Sequence, residues 1–483
     1  MADATTAPTA SVPKPTGWGS LRLLSGYQWF VFLMASLAWT ADCMDQQLFT
    51  AARVQAINAV LTNQQGADFV KSPEGAALAK SWAAGATAAF LVGWAVGGFL
   101  FGVMGDRSGR VKTLITTVLL YSAFTGLSAF SQSVYDFTLY RFLTGLGVGG
   151  VFGVAVALLA EEMPGEARPY TLGLLQALSA VGNVAAALIT MLFGYMVSQG
   201  TFVNAKWQPW QIMFLVGLAP AVLVLLMRGR LKEPAKWLER VRAGQALGLR
   251  PGSFGELLTD KRWAKNAWLG LLLAFAGVVG LWGIGFFSVD LNQSIFRKVV
   301  GEQAQQLGLD DATKAYFVPG MTMVWSGVGL LTLQIGAFLG MISFSWLAQS
   351  IGRKPAFLIA FLGALASTVA VFGWVSEVWH LFTLVPLMGF FQLSLFGGYA
   401  IYFPELFPTH LRSTGTSFCY NFGRLIAATG PLLLGYLTAS VFTKENGYPE
   451  GMRQAGMVMS SVFLLGILVL PWLPETKGKP LPE

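Results

Sequence analysis

The sequence predicts an all-α membrane protein: twelve transmembrane helices in two six-helix lobes. Two observations carry that expectation. The 483 residues are 54% hydrophobic and only 12% charged, where soluble domains run at about 25% charged. The apolar residues lie in long runs that ignore the 3.6-residue stripe of a surface helix, as lipid-embedded helices do. The second observation is a repeat in one direction. Glu161, Pro164 and Arg168 recur 244 residues later as Glu405, Pro408 and Arg412. Gly109-Arg110 recurs as Gly352-Arg353 and Glu233 as Glu475, at offsets of 243 and 242. One unit of about 240 residues is written twice.

Residues 1–24 read as a disordered cytoplasmic tail, because the first twenty are rich in Ala, Thr, Pro and Ser and lack the apolar core of a signal peptide. The apolar runs predict spans at 27–50, 82–104, 113–131, 137–160, 170–197 and 209–227, an N-terminal lobe over 25–228. A linker over 229–263, with Trp237 and Leu238 in a charged helical pattern, reads either as short amphipathic helices at the membrane surface or as a solvated tether. The second lobe, 264–474, holds spans at 264–289, 321–348, 356–375, 378–402, 413–440 and 455–473, and 475–483 forms a second tail. Long external loops are expected at 51–81 and 290–320, in matching places of the two halves.

An even number of spans puts both termini on one side. Loops on that side carry Arg107, Arg110, Lys112, Arg168, Arg353, Lys354 and Arg412, and the linker adds a dense basic run; the opposite turn around Ser131–Asp136 has no basic residue. The positive-inside rule therefore predicts a cell (inner) membrane protein with both termini cytoplasmic. This placement also accounts for the net charge of +8, so no nucleic-acid partner is expected. Cys43 and Cys419 sit inside apolar runs as small packing residues, and His380 and His410 sit near span ends. No metal-ligand set, nucleophile–base pair or phosphate-binding loop stands in the sequence, so neither cofactor nor enzyme activity is expected.

After the second span stands Gly102-Val103-Met104-Gly105-Asp106-Arg107-Ser108-Gly109-Arg110. Gly102 and Gly105 allow close backbone approach, Gly109 suits a tight turn, and Asp106 can pair with an arginine or a helix N-terminus, a charged latch between lobes. Gln349 replaces the aspartate in the second copy. With this motif the chain resembles the major facilitator superfamily. The run Arg141–Gly150 and Glu161-x-x-Pro164-x-x-x-Arg168 look like sugar porters and organic-acid symporters, and Glu233-Pro234 and Pro474–Gly478 are similar to sugar porters. Asn421–Leu425 with Gly430-Pro431, and Asp42-x-x-Asp45, look like aromatic-acid:proton symporters and their organic-anion relatives. Cys43-Met44 departs from the latter pattern, which leaves the particular substrate open. The resemblance implies alternating access around one central site by a single chain.

Charges inside a bilayer cost about 2.5–3.5 kcal/mol each, so they line cavities, pair, or act. Asp42 and Asp45 share a helix face, and Arg141 lies at similar depth in span four. An arginine favours the charged carboxylate and burial the neutral one, so an aspartate alternating between the two settings is a proton switch; a fixed salt bridge is the other reading. The resemblance implies proton coupling by these residues. Arg424, near the midplane, needs an anion: a substrate carboxylate, or an internal partner such as Asp290 or Glu405. Further cavity candidates are Gln176, Asn183, Trp282, Gln334, Gln392, Tyr399 and Asn421, residue types that more often serve packing or helix–helix hydrogen bonding. Glu161, Arg168, Arg353, Glu405 and Arg412, at the cytoplasmic mouths, suit gating ion pairs. Gly145, Gly149 and Gly153, with Gly147, read as a close-packing strip. The expectation is a symporter of protons and a small organic anion, with a sugar or polyol porter and a transporter-derived sensor as rivals.

Overall fold

The structure, a computed structural model, describes residues 17–202, 205–246, 252–427, 433, 437–442 and 450–482. Among them all regular structure is helical. The first bundle comprises α1 (Gly26–Gln65), α2 (Pro73–Ser108), α3 (Arg110–Ser128), α4 (Val134–Glu162), α5 (Arg168–Ser198) and α6 (Pro209–Arg228). Linker helices α7 (Ala235–Ala246) and α8 (Phe254–Thr259) lead to the second. That bundle holds α9 (Lys261–Val278), α10 (Phe286–Gln306), α11 (Asp311–Ile351), α12 (Arg353–Trp374), α13 (Leu384–Leu406), α14 (Arg412–Ala427) and α15 (Glu450–Trp472). A π-helical turn, Val279–Gly285, joins α9 to α10. Ten described helices are long and apolar enough to cross a membrane, or eleven when α1 is counted with the short helix Gly17–Leu23 that meets it at 114°. The chain is a multi-pass membrane protein. The eleventh expected span, 413–440, runs partly outside the described residues.

Local signals set the helix ends. Ser25 with Gln28, and Ser133 with Asp136, form reciprocal capping boxes at the starts of α1 and α4. Single glycines at φ +115° (Gly109) and +105° (Gly352) separate α2 from α3 and α11 from α12, a left-handed conformation that other residues resist. Both junctions lie on the face bearing the chain ends, here termed the tail face.

On the other face the expected loops are helical. α1 runs to Gln65, α10 to Gln306, and α11 already begins at Asp311. At 1.5 Å per residue a 40-residue α1 is about 60 Å long, twice a hydrocarbon core of about 30 Å. Hydropathy marks where lipid stops, not where the helix stops, and the segment after Thr50 keeps good helix formers while becoming polar. Two helical hairpins therefore project from this hairpin face, one per bundle.

The bundles meet along two seams. α5 packs on α11 from Gly173 against Ser345 near the tail face to Gly194 against Gly320 near the hairpin face. α2 packs on α14, with Gly98 against Asn421, Gly102 against Ser417 and Gly105 against Ser413. Inside the first bundle, the glycine strip of α4 does what its spacing predicts. A Cβ at Gly145 or Gly149 would strike the α2 carbonyls of Phe90 and Trp94, one at Gly147 would meet α3, and one at Gly153 would meet Ser417 of α14.

Candidate functional site

Arg424 of α14 is only 4% exposed. Its guanidinium lies 3.9 Å from the Trp94 ring centroid, contributed by the opposite bundle, and 4.0 Å from that of Tyr420. Tyr420 stacks at 3.8 Å on Phe152 of α4, which packs against Trp39 of α1. The cation thus lies between aromatic rings from both bundles. Nη1 donates to Asn421 Oδ1 at 3.2 Å, and Nε has no acceptor. Among the described residues no carboxylate lies within ion-pair distance. Glu405, one of the two expected internal partners, is 2.8 Å from Arg353 instead; the Asp290 side chain lies outside the described residues. Asp42 faces this centre from α1, near enough for its charge to act on Arg424. Its Oδ2 accepts from Gln46 Nε2 at 3.1 Å, and its Oδ1 has no partner.

A turn further along α1, Asp45 turns into the first bundle. Its Oδ2 accepts from Thr125 Oγ1 at 3.1 Å, and its Oδ1 is unpartnered. Arg141 shares this pocket without bonding to it. Arg141 donates to Ser128 Oγ at 2.6 and 3.2 Å and to the Phe124 carbonyl at 3.2 Å, and Phe49, Phe137 and Phe214 ring its guanidinium. The two charges act on each other through space. Both lie fully enclosed, so the side chains are placed for pairing but engaged elsewhere.

The remaining cavity candidates divide. Asn421 Nδ2 donates across the seam to the Gly149 carbonyl at 3.3 Å, and Asn183 Nδ2 donates across the other seam to Gln334 Oε1 at 3.1 Å. Gln176 is buried with Oε1 unpartnered. Gln392 donates to Thr368 Oγ1 at 2.7 Å and Tyr399 to the Leu273 carbonyl at 2.8 Å, both inside the second bundle, so the geometry fits packing there. Trp282 falls in the π-helical turn, and its side chain lies outside the described residues.

The tail face is latched. Asp106 accepts from the backbone N–H of Ser413 (3.2 Å) and Thr414 (2.8 Å) and from Thr414 Oγ1 (2.6 Å), at the N-terminus of α14 across the seam. It also pairs with Arg110 at 3.0 Å. A carboxylate there meets the positive end of the helix dipole. Arg110 grips Glu161 at 2.8 and 3.1 Å and donates across the seam to the Thr409 carbonyl at 2.9 Å. Arg412 reaches the same Glu161 from the second bundle at 3.1 Å and also donates to the Pro482 carbonyl of the C-terminal segment. Within the second bundle, Arg353 repeats the grip on Glu405, and Gln349 accepts from Arg353 at 2.9 Å. Arg168 makes no equivalent bond to Glu405, its Nε being unpartnered. Arg107 is exposed.

The third repeat anchor has its own duty. Glu233 accepts from the N–H groups of Arg110, Val111 and Lys112 at 2.7–3.1 Å, and Glu475 from those of Arg353 and Lys354 at 3.0 Å. Each caps the helix beginning after the glycine junction. Trp237 of α7 donates to the Asp106 carbonyl at 2.9 Å, so the linker helix docks on the latch. Trp94, Tyr420, Phe152, Trp39, Thr414 and Thr409 contact the candidate residues or extend the aromatic stack beside Arg424, and sequence reading missed them. Single aromatics and hydroxyls in apolar spans carry no local signal.

Residues 25–246 match the family model "Sugar (and other) transporter" and residues 283–483 match "Major Facilitator Superfamily". The "Putative niacin/nicotinamide transporter NiaP" of Bacillus subtilis is 31% identical over 350 residues, covering 72% of this chain and 77% of that protein. The chain belongs to the major facilitator superfamily. The "Cis,cis-muconate transport protein" of Acinetobacter baylyi is 27% identical over 396 residues, 81% of this chain and 84% of its own. In fold the chain is similar to the superfamily's proton:xylose symporter XylE bound to 6-bromo-6-deoxy-D-glucose. The TM-score is 0.66 at 18% identity over 94% of this chain and 98% of that one. The protein is a membrane transporter, not an enzyme.

Proposed function

We propose that this transporter carries a small organic anion, such as an aromatic or hydroxy carboxylic acid, together with a proton, by alternating access. Arg424 is the observation that carries the reading. A guanidinium buried between Trp94 and Tyr420, with Nε unpartnered and no carboxylate in ion-pair range among the described residues, suits an anion. Its aromatic walls suit a planar substrate, whose ring can stack where Phe152 and Trp39 extend the same surface.

The named activities of the niacin/nicotinamide and muconate relatives support a carboxylate substrate. Asp42, beside Arg424, and Asp45, beside Arg141, are the groups we assign to the proton. Arg141 sets the affinity of Asp45 by leaving Ser128 and pairing with it in the other conformation. The tail face, which carries the basic loops, is cytoplasmic in the inner membrane. Asp106, Glu161, Arg110 and Arg412 form the inner gate, closed here. The transport pathway lies within one chain, consistent with a functional monomer of lobes 25–228 and 264–474.

Uptake into proteoliposomes tests this. Labelled nicotinate, benzoate, muconate and xylose are offered with and without an inside-alkaline pH gradient. The expected result is gradient-driven accumulation of a carboxylate that collapses in Arg424→Gln and Arg424→Ala. Accumulation of xylose that survives both substitutions would establish the sugar reading instead. Binding with no accumulation under any gradient would establish a sensor.

A further inference from the structure

The Asp45–Arg141 pocket has two levels, and α3 and α6 contribute to both. α3 presents Ser128 to the Arg141 guanidinium and, three residues earlier, Thr125 to the Asp45 carboxylate. α6 presents Phe214, whose ring centroid lies 4.8 Å from that guanidinium, and three residues later Gly217 beside Asp45. Residues three apart on a helix share a face, and three residues rise about 4.5 Å. The levels are therefore about one turn apart, a span that an arginine side chain crosses by changing rotamer.

At the Asp45 level α6 brings no side chain. A Cβ at Gly217 would overlap Thr125 Cγ2 and stand 2.7 Å from Asp45 Oδ1. The close approach falls at a break in α6. Its helical segments end at Val216 and resume at Ala221, and Pro220 within the break has no N–H to donate. Oδ1 is the Asp45 oxygen without a hydrogen-bond partner, and Arg141 Nη1 has none either. One buried acceptor and one buried donor thus stay unmade a turn apart, each costing about 1–3 kcal/mol. On the α6 side only a glycine covers the acceptor.

We infer that Gly217 is a positioning residue for proton coupling, the clearance that lets Arg141 leave Ser128 and bond Asp45 Oδ1. The inference rests on the proton roles proposed above for Asp45 and Arg141. When Asp45 is ionised, the guanidinium moves one level and donates from Nη1 to Oδ1, a charge-assisted pair that belongs to the unlatched conformation. When Asp45 is protonated, the guanidinium returns to Ser128 and the rings of Phe49, Phe137 and Phe214. A methyl at position 217 fills the Asp45 level and holds Arg141 at Ser128. An ionised Asp45 then has no cation to meet, and the bundles no longer respond to its proton. The titratable groups within electrostatic reach of Asp45 are Arg141 of α4, Asp42 of its own helix and Tyr121 of α3; α6 has none before Arg228.

Pulsed electron resonance on the full chain in lipid nanodiscs tests this without a substrate. Spin labels at Lys112→Cys and Ser350→Cys, with Cys43 and Cys419 replaced by alanine, report the latched and unlatched populations between about pH 5 and 8. In wild type the unlatched-to-latched ratio should rise about tenfold or more with pH, the size of one hydrogen bond to a charged group. Asp45→Asn should flatten this profile, and Gly217→Ala should flatten it to the same level. Thr125→Ser removes the Cγ2 that the new methyl strikes and keeps the hydroxyl on Asp45. In the Gly217→Ala/Thr125→Ser double variant the melting temperature should therefore recover while the profile stays flat. A flat profile in wild type overturns the inference, as does a wild-type response in Gly217→Ala. So does a response that returns with the melting temperature in the double variant. A response that persists in Asp45→Asn refutes the underlying proton assignment as well, whereas a flat Asp45→Asn beside a responsive Gly217→Ala refutes the inference alone.

Discussion

Replacing Asp106 by Asn tests whether the tail-face contacts hold one conformation. The carboxylate accepts three hydrogen bonds from α14 across the seam, at 3.2, 2.8 and 2.6 Å. Hydrogen bonds to a charged group contribute about 1.5–3 kcal/mol each, against about 0.5–1.5 kcal/mol for neutral pairs. An asparagine offers one carbonyl oxygen, which keeps two of the bonds at neutral strength. Its NH₂ group then faces backbone donors, so the third bond is lost, along with the charge–dipole attraction of about 0.3–1 kcal/mol. The pair with Arg110 lies inside the first bundle and does not bear on the seam. At mid-range values the summed loss is about 5 kcal/mol, roughly a 4,000-fold shift away from the latched state. Spin labels at Lys112→Cys and Ser350→Cys, exposed positions on opposite bundles, report it by pulsed electron resonance with Cys43 and Cys419 replaced by alanine. The expected result is a long-distance population that dominates in Asp106→Asn and is minor in its absence. Identical distance distributions in lipid would refute the argument that these bonds form in only one state.

Other outcomes follow from the same geometry. Asp45→Asn should leave carboxylate exchange intact in proteoliposomes while abolishing accumulation driven by a pH gradient; retained accumulation would remove Asp45 from the coupling role. At Glu475, partial burial pushes the carboxyl up, but backbone N–H groups of Arg353, Lys477 and Lys354, with the Arg353 charge, outweigh it and hold it below the ordinary range. A depressed folded-state value means the contribution is complete above the unfolded value of about 4.3 and is lost as pH falls through the folded one. The Tm gap between wild type and Glu475→Gln should therefore stay constant from about pH 7 to 5 and close below about pH 4. Gly149→Ala pushes a methyl into the Trp94 carbonyl and should destabilise by roughly 1–3 kcal/mol. Gly165→Ala, with nothing within 4 Å, should leave the melting temperature unchanged.

Particular residues show how far the sequence reached. Asp106 was legible as a carboxylate that pairs with an arginine or a helix N-terminus, and it does both. The donors that meet it on Ser413 and Thr414 were not, since they lie more than 300 residues away. Arg424 was legible as a charge without a neighbour of opposite sign; its Trp94–Tyr420 sandwich was not, because it spans two bundles. Asp45 and Arg141 were expected to meet, and only the packing of Ser128 and Thr125 could show that each bonds elsewhere in this conformation.

What the chain by itself determined is whatever depends on local transfer free energy and on period. Hydrophobic runs fix which segments enter lipid, and a same-direction repeat fixes two like bundles. What only the tertiary structure decided is which buried charges meet, which face is shut, and how far helices run beyond the bilayer. Those outcomes rest on contacts between segments hundreds of residues apart, where distance along the chain carries no information about distance in space.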